Sequence, residues 1–324
     1  MLFQKEEYIY AVARIRCKES KLLSNKNIEQ LISMKDSQSV ERYLRDMGWG
    51  NSADLSDKDI LFSEQEGLWS LMKELVGDLS AFDFLRVQND FHNIKAAVKA
   101  IYTDTSAEHL FLSGGVFESD VIYNSIKNKD YSSLPEFIAA TAQEAMGVIL
   151  KTGDGQLCDA LIDKACLTYV GAFAKTADNE LIRKYCELFT ASGNIKIAVR
   201  CARLKKSADF VFRCMADCDS LNIKTMSVAA AKGFDEICNY LLTTDYKNAV
   251  VHIKDSLSAF EKWCDNFIMD LMRSQKSDPF SIGPLVAYII AKQTEIKAVR
   301  LILTAKNNSL PDSVIRERIR EMYV

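Results

Sequence analysis

The sequence predicts an all-α protein, and three observations support that prediction. Residues that form turns are scarce, because the 324 residues include 4 prolines and 13 glycines, where an average chain of this length holds about 16 and about 23. Apolar residues recur at helical spacing, and no sustained alternation of period two marks a strand. A fold built from many strands needs frequent turns, so this composition excludes an all-β protein.

Helical periodicity is clearest in three stretches of the chain, at 28–47, 157–169 and 257–272. In the last of these, apolar residues share one helix face, and charged residues such as Glu261 and Asp270 fill the other. Clusters of Gly, Asn, Asp and Ser predict helix ends or turns. They lie at 48–51, 113–115, 153–155, 192–194, 277–279 and 307–309. Three Ser/Thr-x-x-Glu patterns, which begin at Ser63, Thr105 and Ser133, predict capping boxes at helix starts.

The composition is typical of a folded, soluble chain. Hydrophobic residues make up 48% and charged residues 26%, and the formal net charge of −3 gives no broad field that attracts nucleic acid. Charges interrupt the short apolar runs near the N-terminus, and the longest apolar run, 285–291, is far shorter than the ~18 residues of a membrane helix. We therefore expect neither a signal peptide nor a transmembrane helix.

The nine cysteines contain no C-x-x-C pattern, which indicates reduced thiols that pack as small apolar residues. Cys214 and Cys218 lie one helical turn apart, so a shared metal ion is the alternative interpretation for that pair. No histidine lies near them in sequence. We favour buried structural thiols and expect neither a metal nor a cofactor.

One short element recurs three times, and its copies begin 101 residues apart. Its opening residues are Asn93, Ile94 and Lys95 in the first copy, Asn194, Ile195 and Lys196 in the second, and Glu295, Ile296 and Lys297 in the third. Constant spacing and a matched continuation are hard to obtain by chance. The element therefore predicts three helical units of one design.

Two interpretations of the repeated element stay open. As structure, its isoleucines form an apolar stripe, and Asn93 and Asn194 bond local backbone at equivalent helix bends. As function, its three lysines occupy related positions that contact a partner. Repetition favours the structural interpretation, because a shared fold repeats its packing, whereas contacts with an asymmetric partner need not repeat.

Segments that open with Leu and a following Ser or Asn support the same division, at Leu23, Leu112 and Leu221. They divide the chain into three helical repeat domains, 1–111, 112–220 and 221–324. A fourth opening segment, at Ser309, ends almost at once. This pattern predicts that the terminal helix closes a ring against the first helix.

Three parts of the chain carry a family resemblance: residues 10–23 (YAVARIRCKESKLL), residues 91–95 (FHNIK) and the closing segments 278–285, 295–300 and 305–318. They resemble the C subunit of bacterial and archaeal V-type (A/V-type) ATPases, a relative of the d subunit in the eukaryotic vacuolar ATPase. The resemblance covers the whole chain. It departs from the family's pattern at Ala298, where a polar residue is expected, and in the cysteine-rich middle unit.

The resemblance implies three pseudo-symmetric helical domains that form a funnel or ring. It also implies a non-catalytic central-stalk subunit of a rotary ATPase or ATP synthase. Such a subunit is a socket that couples the shaft, made of the D and F subunits, to the membrane rotor ring of proteolipid subunits during ion transport. By the same resemblance, the chain is expected at the cytoplasmic side of the membrane, attached peripherally through the ATPase complex.

Six charged residues are candidate interface positions. Arg14, Arg16 and Glu19 match the family's opening motif, with a local ion pair as the alternative interpretation. Arg316, Arg318 and Arg320 lie in the terminal stretch that we expect to be helical and to hold the ring closed.

Two charged segments of opposite sign suit two different partners. Residues 51–90 hold nine acids and three bases, and residues 292–324 hold seven bases and four acids. The alternative interpretation is that both segments are solvated helix faces.

Two other classes of protein are alternatives. An enzyme is disfavoured, because the sequence lacks the glycine-rich phosphate loop, the dinucleotide fingerprint and the nucleophile elbow, and its three histidines are scattered. We accordingly expect no direct binding of nucleotide and no nucleic-acid partner. A peptide-binding solenoid is disfavoured, because solenoid repeats span roughly 20–50 residues.

Overall fold

The protein is described by a computed structural model that covers residues 3–50, 59–106 and 108–324. Of the chain, 76% is helical, and no strand occurs in the described residues. The predicted all-α class is confirmed.

The described residues contain 16 α-helices. The first eight are α1 (Phe3–Glu19), α2 (Asn25–Ser33), α3 (Ser37–Asp46), α4 (Ile60–Val76), α5 (Asp83–Thr103), α6 (Ser119–Asn128), α7 (Glu136–Thr152) and α8 (Gly155–Thr176). The others are α9 (Glu180–Arg203), α10 (Ala208–Cys214), α11 (Ile223–Lys232), α12 (Phe234–Leu241), α13 (Val250–Asp255), α14 (Leu257–Arg273), α15 (Gly283–Asn307) and α16 (Asp312–Arg318). Short 3-10 helices lie at Ser80–Phe82, Glu108–Leu110, Lys247–Ala249 and Ser274–Ser277.

The helices group into two compact units. Unit 1 combines the two ends of the chain, Met1–Leu79 and His252–Val324, and unit 2 is the continuous segment Ser80–Val251. This grouping follows contacts in space and differs from the sequence repeat. The three-domain organisation and the ring stay predictions.

In unit 1, α15 is the central helix and packs against α1, α2, α3, α4, α14 and α16. Pro284 lies in its first turn, where a missing N–H costs no helical hydrogen bond, and apolar residues lie on all sides of the helix. The terminal helix α16 packs against α2, α14 and α15. An apolar core shared by α2, α3, α4, α15 and α16 includes Leu23, Leu31, Leu44, Trp49, Ile302, Ile315 and Met322.

In unit 2, α8 packs against α5, α7, α9 and α10. The turn predicted at 153–155 is present: Gly153 ends α7 in the left-handed conformation, and the Asp154 side chain accepts backbone N–H bonds at the start of α8. Glycine adopts such a positive φ at less cost than residues with a Cβ atom.

Three of the local predictions were wrong. The cluster at 192–194 does not end a helix, because α9 runs through it. Ser63 lies inside α4, whose N-cap is Asp59, and α7 begins after Pro135 without a side-chain cap, so the capping boxes at Ser63 and Ser133 were wrong. The Glu108 side chain, the partner predicted for Thr105, lies outside the described residues.

Candidate functional site

The repeated element lies on three long helices, α5, α9 and α15. Its opening residue is polar in each copy, yet Asn93 and Asn194 are 0% exposed and Glu295 is 1% exposed. A buried polar side chain is costly unless it is hydrogen-bonded. We call these three side chains the clamp residues, and their partners define the candidate site.

The two asparagines make the same pair of hydrogen bonds. Asn93 Nδ2 donates to the carbonyl oxygen of Leu112 at 2.9 Å, and the Leu112 N–H donates to Asn93 Oδ1 at 2.8 Å. Asn194 pairs in the same way with Ala216, at 2.7 Å and 3.0 Å. In each case one side-chain amide satisfies both backbone groups of one residue, as a second peptide group would.

Glu295 replaces the amide with a carboxylate, which only accepts hydrogen bonds when ionised. The Leu23 N–H donates to Glu295 Oε2 at 3.0 Å, and Lys292 Nζ donates to Oε1 at 2.9 Å. The same ammonium lies 2.7 Å from Glu64 Oε2 and 4.1 Å from the centre of the Trp49 ring. The third copy is therefore an ion-paired network within unit 1.

Burial raises the pKa of the Glu295 carboxyl above its ordinary value, and the attraction of Lys292 opposes that rise. Lys292 is itself 9% exposed. Neither charge keeps a full hydration shell, so the pair depends on its mutual contacts and on the Leu23 N–H.

The three clamps differ in the distance along the chain that they bridge. Asn93 bonds backbone 19 residues later, and Asn194 bonds backbone 22 residues later. These asparagines were expected to bond local backbone, whereas Leu112 lies in the connection between α5 and α6, and Ala216 lies in the loop between α10 and α11. The partner of Glu295 precedes it by 272 residues, so this clamp joins the last long helix to the start of the chain.

Further polar groups hold the loop after α5. Asn89 Nδ2 donates to the Ser113 carbonyl at 2.8 Å, and an Arg86 guanidinium N–H donates to the Gly115 carbonyl at 2.5 Å. Asp90, which is fully buried, accepts the N–H groups of Val116 at 2.9 Å and Phe117 at 3.2 Å. Burial raises the pKa of the Asp90 carboxyl to about 7, against the effect of those two bonds.

The second copy has a comparable support, because Glu187 on α9 accepts the N–H groups of Asp219 at 3.2 Å and Ser220 at 2.8 Å. Sequence analysis missed Asp90 and Glu187. A signal for them existed: each lies one or two turns before a clamp residue, on a stretch whose other side is apolar.

The remaining residues of the repeated element divide into buried and exposed positions. Its isoleucines, Ile94, Ile195 and Ile296, are all buried. The lysines do not share one environment: Lys95 forms an ion pair with Asp163 of α8, Lys196 is half-buried, and Lys297 is exposed. A common task for the three lysines stays a prediction.

The candidate interface residues near the N-terminus bond inside unit 1. Arg14 pairs with a carboxylate of α4 at 3.1 Å. Arg16 pairs with Glu19 at 2.7 Å, and the Tyr323 hydroxyl donates to Glu19 at 3.1 Å. The local ion pair that sequence analysis kept as the alternative is therefore present, and it also fastens the C-terminal end of the chain.

The terminal arginines follow the same pattern. Arg316 pairs with Glu29 of α2 at 3.0 Å, and Arg320 pairs with Asp265 of α14 at 2.8 Å. Arg318 is exposed. α16 ends at Arg318, and the chain continues from there in extended conformation, so the helix is shorter than expected.

Seven of the nine cysteines are buried and Cys218 is half-buried, whereas Cys17 is exposed, so the prediction of a buried thiol was wrong for Cys17. Burial raises the pKa of Cys166 to about 12 and that of Cys218 to about 11, which keeps both thiols protonated at neutral pH. Across the described ranges, no three His, Cys, Asp or Glu side chains come together as a metal site would require. None of the helices described is long and apolar enough to cross a membrane.

The described residues form an all-α protein in which buried polar side chains of long helices bind backbone groups elsewhere in the chain. The family model for the ATP synthase (C/AC39) subunit matches residues 11–318. The chain belongs to this family, and the resemblance found in the sequence is confirmed.

Relatives with curated names agree with the family model. The C subunit of the V-type sodium ATPase of Enterococcus hirae is 24% identical, over 95% of this chain and 97% of the relative. The C subunit of the V-type ATP synthase of Thermus thermophilus is 21% identical, over 97% and 98%. The C subunit of the A-type ATP synthase of Methanocaldococcus jannaschii is 22% identical, over 98% and 87%.

Proposed function

We propose that the chain is a non-catalytic central-stalk subunit of a rotary V-type ATPase or ATP synthase. As a socket, it receives the shaft of D and F subunits and connects it to the membrane rotor ring of proteolipid subunits. The observation that carries the proposal is the family match along nearly the whole chain. The relatives' names supply the complex in which the chain works.

The clamps support a mechanical role. A part that transmits torque must resist bending, and helices packed at high density with buried hydrogen bonds are stiff. Each clamp fastens a long helix to a loop that would otherwise be free to shift. Three clamps 101 residues apart also support three pseudo-symmetric domains at 1–111, 112–220 and 221–324.

The third clamp supports closure of a ring. For Asn93 and Asn194, the bonded backbone belongs to the loop that leads into the next repeat. For Glu295 the next repeat is the first one, because Leu23 opens the first of the predicted segments. The terminal helix adds the Arg316–Glu29 pair to the same connection.

A pull-down from native membranes tests the proposed function. With the tagged chain as bait, we expect to recover the other subunits of a rotary ATPase, among them the shaft and ring subunits. Recovery of the chain without any other part of an ATPase would contradict the proposal.

A further inference from the structure

A groove of about 340 Å³ lies in unit 2, where the C-terminal end of α9 faces the N-terminal half of α8 and the start of α10. Leu157 and Ile197 supply apolar surface to it. Leu204 also lines the groove and is 51% exposed. A groove of this volume lies at the lower end of those that hold a discrete ligand, and it admits a few side chains.

The groove is positively charged. Arg200, Arg203 and Lys206 line it, and no carboxylate of the described residues lies within ion-pair distance of any of them. The two acids of the groove are already paired, Asp159 with Lys99 at 2.7 Å and Asp163 with a lysine of α5. Lys206 lies 4.9 Å from the centre of the Phe210 ring, and none of the three cations has a carboxylate partner among the described residues.

The charged residues next to the groove in sequence are also mostly basic. Residues 200–213 contain five bases and one acid, in a chain whose formal net charge is −3. The macrodipole of α9 accounts for cations at its C-terminal end. It does not account for an exposed leucine placed between Arg203 and Lys206 in sequence.

We propose that this groove docks an acidic, amphipathic segment of another subunit. The inference rests on the proposed function, because it takes the partner from the ATPase complex. Carboxylates of the segment pair with Arg200 and Arg203, and an apolar side chain covers Leu204 and Ile197. A recess between helices suits a protein segment better than the flat surface of a bilayer, which cannot enter it.

Photo-crosslinking in the assembled ATPase tests the inference. A benzophenone amino acid replaces Leu204 in the full chain, and the complex is purified before irradiation. We expect an adduct with a segment of another subunit that contains Asp or Glu. In the Arg200→Glu/Arg203→Glu background, the adduct should fall roughly tenfold, because two attractions become repulsions. The same probe at Leu242, which is 54% exposed, should not label that segment.

Charge reversal elsewhere is the matched control. Lys175 and Lys224 are exposed in unit 2 and lie outside the groove, so Lys175→Glu/Lys224→Glu should leave the adduct unchanged. An adduct on lipid, on a segment without carboxylates, or of equal yield after reversal of the two arginines would overturn the inference, as would no adduct in a complex that contains the chain. Absence of the chain from the purified ATPase would instead contradict the proposed function, and the inference with it.

Discussion

All three clamp residues bond the backbone of a residue elsewhere in the chain, but two are neutral amides and the third is a carboxylate. Asn93 and Asn194 are neutral and bond both backbone groups of their partners, whereas Glu295 relies on Lys292 for its second contact. Loss of Glu295 removes two charge-assisted hydrogen bonds, which are stronger than neutral ones, and leaves Lys292 with Glu64 as its remaining carboxylate partner. The third clamp should therefore be the most sensitive to substitution.

Glu295→Ala should lower the free energy of unfolding by about 2–4 kcal/mol, because Lys292 keeps Glu64 but loses its second carboxylate partner, and the Leu23 N–H loses its acceptor. Asn93→Ala and Asn194→Ala should each cost about 1–3 kcal/mol. Urea unfolding followed by circular dichroism measures these differences. The exposed Lys297→Ala is the control, with a change within about 0.5 kcal/mol. A Glu295→Ala protein as stable as this control would show that the contacts of Glu295 contribute nothing to the free energy of unfolding.

Asp90 should make stability depend on pH. Burial raises its pKa to about 7, above the ordinary value of 3.8, so the folded protein binds this proton more tightly than the unfolded chain. The stability that Asp90 contributes is present below its unfolded pKa and is lost as pH rises towards about 7. Arg86 opposes the shift and Asp83 adds to it, and both stay in place when Asp90 is replaced.

Asp90→Asn removes the titration and keeps one of the two acceptor oxygens, so one of the N–H groups of Val116 and Phe117 loses its acceptor, a cost that does not change with pH. We compare the free energy of unfolding of this variant with that of the wild type. The difference, variant minus wild type, should be larger at about pH 8 than at about pH 5. Thermal melts across that range give the difference between the two proteins. A difference that does not change with pH would mean that the Asp90 carboxyl titrates at its ordinary pKa.

At the scale of elements, the packing of α8 on α9 depends on one missing side chain. A Cβ placed on Gly193 would lie 2.6 Å from Leu167 Cδ2 and 2.8 Å from its Cδ1. Both distances are shorter than carbon atoms tolerate, and Leu167 is buried, so it has little room to move. Glycine in the middle of α9 is therefore required by contact with a neighbouring helix.

Gly193→Ala should lower the free energy of unfolding by about 1–3 kcal/mol through overpacking, although alanine favours helix. Gly147→Ala on α7 is the matched control, because a Cβ there meets no atom within 4 Å. This control should gain up to about 1 kcal/mol from helix propensity. Equal gains in both variants, measured by urea unfolding, would show that α8 moves aside without cost.

At the scale of the whole molecule, the C-terminal segment should be required for coupling. Deletion of residues 309–324 removes α16 and the buried Ile315, Met322 and Tyr323, and exposes the apolar core that they cover. Leu310 is 43% exposed and contributes little to this core. Single changes such as Arg316→Ala should have small effects, because exposed ion pairs are worth about 0–1 kcal/mol.

The measurement is the number of ions transported per ATP hydrolysed in reconstituted vesicles. With the truncated chain, ATP hydrolysis by the catalytic head should continue while ion transport falls. Arg316→Ala serves as the control that keeps the segment. An unchanged ratio, in complexes shown to contain the truncated chain, would mean that the segment bears no torque.

The purified chain should not bind ATP, because its sequence offers no glycine-rich phosphate loop with a following Lys and Ser or Thr. Isothermal titration calorimetry with Mg-ATP checks this expectation. Stoichiometric binding with a micromolar Kd would be incompatible with a part that only transmits rotation.

The sequence by itself determined the all-α class and the family. Both depend on local information: the scarcity of Pro and Gly, the periodicity of apolar residues, and short motifs that survive in each repeat. It also located the clamp residues, because equal spacing marks equivalent positions without reference to their contacts.

The tertiary structure decided what those positions touch. The cluster at 192–194 has the composition of a turn, yet α9 continues through it, because Gly193 admits Leu167 and Asn194 bonds Ala216. Glycine in a helix interior costs about 1 kcal/mol relative to alanine. The close packing of α8 on α9 that Gly193 permits outweighs this cost. No local pattern reveals that Glu295 binds Leu23, since a hydrogen bond between residues 272 positions apart depends on where the chain returns in space.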